Sequence, residues 1–180
     1  MKFDYVYCKK LFNIKEVKKI NSIIKKNMDL NAKDNPAKNV IKTASVNFIK
    51  YKFLKKQIYP LIDFVNESNQ SHFGFDLYDM FDSKIFNVNN YKVNENVGYD
   101  WHKDASPDYS RDIKLTVLLN LSEKKYEGGE LYLEGVGKID YFNDPGDVLI
   151  FKSFLLHKVD KILSGERITL SIWMDGPCLR

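Results

Sequence analysis

The chain has 180 residues, enough for one domain with a closed core, and its 44% hydrophobic and 29% charged content is ordinary for a globular protein. No apolar run approaches the roughly 18 residues a membrane span needs, and the opening MKFDYVYCKK lacks the apolar stretch of a secretory leader. The net charge of +4 is carried by 25 lysines and three arginines scattered among acids, which argues against a phosphate-binding stripe and against nucleic acid as partner. Cys8 and Cys178 stand alone at opposite ends, with neither disulfide nor zinc spacing, and point to a reducing, cytoplasmic setting.

The first predicted element is an amphipathic helix from Asn13 to Asn27. Ile14, Val17, Ile20, Ile23 and Ile24 recur at helical spacing, and Asn13 with Glu16 forms a capping-box pattern. The polar stretch 28–39, broken by Pro36, reads as a loop, and VIKTASVNFI (40–49) as a short strand. A second helix carries Phe53, Leu54, Ile58, Leu61, Ile62 and Val65, kinked at Pro60, and fades in NESNQS. His72 falls in the loop that follows. From residue 83 the texture changes to short β-branched and aromatic runs bounded by Gly, Pro, Asn and Asp: 84–91, 99–104, 113–121, 129–135, 137–142, 147–151, 155–162 and 167–174. Eight closely spaced strands preceded by helices suggest a mainly β fold in one domain over 1–180. Residues 1–80 read as helical support, and residues 83–177 as a jelly roll or antiparallel barrel.

The run YDWHKDAS (99–106) places His102 two residues before Asp104. Alternation along an extended strand would aim both side chains at one point. His157 follows 55 residues later on another predicted strand, and Arg167 opens the last strand ten residues beyond that. Two neutral imidazoles and a carboxylate on one face of a metal leave the opposite positions open, which suits non-heme Fe(II). Zinc is the competing metal, but a zinc hydrolase would need a general base and would give this arginine no role.

The order His-x-Asp, His, Arg, together with YEGGELYLEG (126–135), PGDVLIFKSFLLHKV (145–159) and SGERITLSIWMDGP (164–177), resembles the Fe(II)- and 2-oxoglutarate-dependent dioxygenases, in particular their prolyl-4-hydroxylase-like branch. The resemblance covers roughly residues 85–177 and implies a double-stranded β-helix core. It implies that His102, Asp104 and His157 ligate iron and that Arg167 takes the far carboxylate of 2-oxoglutarate. Arginine's rigid fork suits that task better than the point charge of a lysine. It further implies Tyr91 and Ser171 as contacts to the cosubstrate, with ascorbate as a reductant.

Trp173 shares the parity of Arg167 and Ser171 and is expected to wall the pocket, whereas Trp101, of opposite parity to the ligands, is expected to pack. ASPDYSRD (105–112) is the candidate lid or substrate-contact segment. Lys152, Lys161 and Ile162 depart from the branch's prolines in loops that border the cleft. The implied reaction couples decarboxylation of 2-oxoglutarate, giving succinate and CO2, to hydroxylation of a peptidyl residue, with proline leading. A free amino acid, another small metabolite or a nucleobase is the alternative substrate, and a non-catalytic binding barrel is the reading from another class.

Overall fold

Asn13 opens the first helix, α1 (Ile14–Asn27). Its side chain accepts hydrogen bonds from the Lys15 and Glu16 N–H groups, while the Glu16 carboxylate accepts from the Asn13 N–H. The expected capping box is therefore formed, a device worth about 1 kcal/mol. Val17, Ile20 and Ile24 bury the inner face of α1. A computed structural model of the chain describes residues 4–34, 45–93, 98–105 and 112–177.

The second helix differs from expectation. Two helices stand in its place, α2 (Tyr51–Leu54) and α3 (Tyr59–Ser68), and Pro60 lies in the first turn of α3. A proline there loses nothing, because the first N–H groups of a helix have no intrahelical acceptor. A π-helical turn, Asn69–Phe73, carries His72 and ends at Gly74, whose φ of 73° is one that glycine adopts without strain.

The strands are β1 (Tyr5–Cys8), β2 (Asp29–Asp34), β3 (Ser45–Lys50), β4 (Ile85–Lys92), β5 (Tyr99–His102), β6 (Ile113–Asn120), β7 (Glu127–Gly128), β8 (Leu131–Leu133), β9 (Gly137–Lys138), β10 (Val148–Lys152), β11 (His157–Val159), β12 (Ile162–Ser164) and β13 (Glu166–Asp175). The major sheet runs β1-β10-β6-β13-β4-β3-β2. A minor sheet runs β5-β11-β8-β9, and β12 pairs with β7 in a short ribbon. Every pairing between described strands is antiparallel. The result is a jelly-roll core with helices on one side, as expected.

Several boundaries move. Part of the expected loop 28–39 is strand β2, the expected strand 40–49 is observed at 45–50, and the run 155–162 divides into β11 and β12. β1, which was not expected, pairs with β10, so the segment read as helical support also supplies three strands to the major sheet.

Period-2 alternation sorts the major sheet into two faces. Leu115, Val117, Leu119, Val148, Ile150, Leu170, Ile172 and Met174 pack with the helices in one core. Tyr91, Leu118, Leu149 and Phe151 turn the other way and pack with Leu131, Leu133 and Val159 of the minor sheet in a second core. The candidate site residues His102 and His157 of the minor sheet and Arg167 of the major sheet lie on elements bordering this second core. At the turn before β10, Gly146 has φ of 83°, and a Cβ there would collide with the Phe12 carbonyl oxygen. The buried carboxylate of the next residue, Asp147, accepts from the Lys10, Asn143 and Asp144 N–H groups and from Lys9 Nζ, tying the start of the chain to the sheet.

Candidate metal centre

β5 ends on His102 and β11 begins on His157, and the two are direct cross-strand partners, with ring centroids 4.0 Å apart. Asp104 does not share their strand. The chain leaves β5 after His102, and Asp104 sits in a bend where its N–H and that of Ala105 both donate to the Ser153 carbonyl, at 3.0 and 3.1 Å. The three side chains nevertheless converge. Asp104 Oδ1 lies 3.9 Å from His102 Nε2, Asp104 Oδ2 lies 3.6 Å from His157 Nε2, and one ligand atom from each residue fits within 4.8 Å of the others.

Each imidazole is oriented by a backbone carbonyl. His102 Nδ1 is 2.7 Å from Asp100 O and His157 Nδ1 is 3.0 Å from Leu155 O, contacts that place the proton on Nδ1 and turn Nε2 of each ring toward Asp104. Ring contacts hold the same orientations, with Tyr99 stacked on His102 and Phe151 edge-on to His157. Thr116 Oγ1 donates to Asp104 Oδ2 at 2.6 Å.

Arg167 is 1% exposed. Its guanidinium lies between two aromatic rings, with Cζ 5.2 Å from the Tyr91 centroid and 5.6 Å from that of Phe142. Among the described residues it has no carboxylate partner, and its Nε has no hydrogen-bond acceptor. A buried guanidinium without an acid is costly unless a ligand supplies the anion. Gly129, with φ of 67°, makes room for it: a Cβ there would stand 2.9 Å from Arg167 Cδ.

Tyr91 is the cross-strand partner of Arg167 and is buried. Burial pushes its phenol above the ordinary tyrosine range, the Arg167 charge pulls the other way, and Asp104 adds to the rise. The phenol thus keeps its proton at neutral pH, and it lies within electrostatic reach of both Arg167 and Asp104.

Ser171, also buried, accepts a hydrogen bond from Asn89 Nδ2 at 2.8 Å, so its own hydroxyl proton is left to donate elsewhere. Trp173 follows at the same parity, and its Nε1 is buried without a hydrogen-bond partner among the described residues. Trp101 corrects the expectation that it packs, being 44% exposed with Lys158 Nζ 5.7 Å from its ring centroid. Lys152 spends its charge on Asp4 at 2.8 Å. Most of the expected lid, residues 106–111 of 105–112, lies outside the described residues, as does Cys178.

Thr116, Ser153, Asn89 and Phe142 escaped the sequence reading. Only Thr116 left a signal there, as the one hydroxyl amid the apolar residues of IKLTVLLNL.

A sequence profile of the 2OG-Fe(II) oxygenase superfamily matches residues 86–175, half of the chain, a span that includes His102, Asp104, His157 and Arg167. The chain belongs to this superfamily.

The chain is 38% identical over 87 residues to a PKHD-type hydroxylase of Prochlorococcus marinus strain AS9601, a match covering 47% of this chain and 39% of that one. It is 37% identical over 94 residues to a PKHD-type hydroxylase of Alteromonas mediterranea, covering 47% and 41%. The chain thus matches about two fifths of the length of these relatives. Its fold is that of a Pseudomonas putida prolyl-4-hydroxylase, with a TM-score of 0.74 at 18% identity over 97% of this chain and 94% of that one. A viral collagen prolyl hydroxylase from Paramecium bursaria Chlorella virus-1, solved with 2-oxoglutarate, gives 0.68 at 20% identity over 97% of each chain. A Trichoplax adhaerens prolyl hydroxylase, solved with a peptide of the hypoxia-inducible factor, gives 0.68 at 16% identity over 96% and 83%.

The residues present fit the groups that the superfamily's name carries. Two imidazoles and one carboxylate whose ligand atoms converge form a donor set suited to Fe(II), and a buried guanidinium with no acid partner among the described residues suits the far carboxylate of 2-oxoglutarate.

Proposed function

We propose that this oxygenase is an Fe(II)- and 2-oxoglutarate-dependent hydroxylase acting on a peptidyl residue, with proline the leading target. The observation that carries the reading is the pairing of an inward-facing His-Asp-His cluster with a buried, acid-free Arg167 between the same two sheets. His102, Asp104 and His157 would hold the iron, which when bound supplies the oxygen chemistry that no side chain can perform. Arg167 binds the distal carboxylate of the cosubstrate with its fork. Tyr91 contributes a neutral hydroxyl donor beside it, and Ser171, its oxygen already receiving the Asn89 hydrogen bond, contributes another.

The second core keeps water from this end of the cleft: Phe151 and Leu118 flank the site, and Phe142 covers one side of the Arg167 guanidinium. The peptide preference is supported by the hydroxylase names of the relatives and by the peptide bound to the Trichoplax enzyme. The scattered lysines speak against a nucleobase within nucleic acid. No described helix is long and apolar enough to cross a membrane. A cytoplasmic setting, with ascorbate as reductant, completes the proposal.

The test is anaerobic loading with Fe(II) and 2-oxoglutarate, followed by exposure to oxygen with proline-containing peptides, free amino acids or oligonucleotides in parallel. The expected result is succinate release stimulated by a peptide, in step with a one-oxygen mass gain on that peptide. Stimulation by a free amino acid alone would transfer the assignment to small molecules. No succinate under any condition would leave the binding-barrel reading.

A further inference from the structure

β6 runs through the middle of the major sheet, between β10 and β13, and all eight of its residues are buried. Its odd-numbered residues from Leu115 to Leu119 fill the helix-backed core. Thr116 turns to the other face, 1% exposed, between Phe151 on β10 and Trp173 on β13. A valine would satisfy that place by volume and strand preference, whereas a buried hydroxyl costs free energy unless it finds a partner. Its partner is Asp104 Oδ2, at 2.6 Å.

Asp104 has left β5, so strand pairing does not fix its side chain. Its backbone is tethered by Ser153 O, and Ser153 is in turn bound to β6, its N–H donating to Lys114 O at 3.1 Å and its hydroxyl to Ile113 O. Both the backbone and the carboxylate of the ligand are therefore referred to one central, fully buried strand.

We infer that Thr116 is a positioning residue that holds Asp104 to coordination through a single oxygen. Its hydroxyl engages Oδ2. Oδ1 receives no hydrogen bond among the described residues and faces His102 Nε2. A carboxylate released from that bond could turn and chelate through both oxygens, taking up a position that a two-imidazole, one-carboxylate set would otherwise leave open to the cosubstrate. Hydrogen bonds to ligand groups of this kind alter metal affinity by about 10–100-fold. The inference rests on the metal-centre reading proposed above.

The test uses Co(II) as the probe on the full chain, comparing wild type with Thr116→Val and Thr116→Ser. Metal affinity is measured by calorimetry, coordination number by the Co(II) visible bands, and 2-oxoglutarate affinity of the Co(II)-loaded protein by a second titration. Thr116→Val is expected to weaken Co(II) binding by about tenfold or more, to change the visible bands, and to weaken 2-oxoglutarate binding further. Thr116→Ser, which keeps the hydroxyl, should stay within about threefold of wild type. Should the valine variant not fold, Thr116→Ala carries the same comparison.

Unchanged affinity and bands in the hydroxyl-free variant would overturn the inference, as would equal losses in the valine and serine variants, which would assign the effect to packing. Failure of the wild type to bind Co(II) would instead overturn the metal-centre reading itself.

Discussion

Alanine at His157, His102 or Asp104 is expected to abolish succinate production at saturating Fe(II) while leaving the chain folded. His157 has the deepest position of the three, 4% exposed, between β5 and β8 in the minor sheet. Its replacement leaves a small void next to Phe151, but the helix-backed core lies on the other face of the major sheet and is untouched. Asp104→Ala has a second effect, because it strands the Thr116 hydroxyl in a buried site. Activity above about a tenth of wild type in any variant would remove that residue from the ligand set, since tenfold in rate corresponds to only ~1.4 kcal/mol, far below the cost of a lost metal ligand. Bound iron per chain, read by elemental analysis beside far-UV circular dichroism, separates loss of metal from loss of fold.

Arg167→Ala should weaken 2-oxoglutarate binding by roughly tenfold to more than a hundredfold, because each hydrogen bond to a charged group contributes about 1.5–3 kcal/mol. Arg167→Lys should fall between, keeping the charge but losing the two parallel hydrogen bonds. Metal affinity, titrated separately, should hardly move. Alanine carries one opposing contribution, since it also removes a buried charge that no acid balances among the described residues. The variant can therefore melt no lower than wild type while binding its cosubstrate far less well, a combination that a merely structural arginine would not produce. Equal losses of metal and cosubstrate affinity would mark Arg167 as a support of the last strand.

The candidate cluster was legible because its information is local: one His-x-Asp pair, one distal histidine and one arginine, in a chain with three residues of each of the two basic types involved. The reason given for His102 and Asp104 meeting was nevertheless incorrect. Strand alternation does not carry Asp104, since the bend is made by the Ser153 carbonyl, a contact across 49 residues that no local parity rule contains.

Long-range pairing also hid β1, whose four residues acquire their meaning only against β10. Pro60 was misread because a proline within an apolar helical pattern can end one helix or begin another. Local periodicity does not choose between the two, whereas the packing of Leu54, Ile58 and Leu61 does. Thr116 was visible as a residue but not as a contact.

β5 bears His102, one of the three candidate ligands, yet it is weakly secured. It sits at the end of the minor sheet, its pairing with β11 shifts register, and none of its four residues is buried, in contrast to the eight buried residues of β6. An ion held jointly by His102, His157 and the β6-anchored Asp104 would stitch this border to a fully buried strand of the major sheet. Occupancy would then set how often β5 opens, since at about 100 times its Kd a ligand adds ~2.7 kcal/mol to the state that binds it. Amide exchange should accordingly slow across 99–102 when Co(II) is added, with exchange in β6 unchanged, and identical β5 protection with and without the ion would contradict this coupling. A strand free to open without metal and fastened with it would make the entrance to the cleft respond to the iron supply, before any substrate arrives.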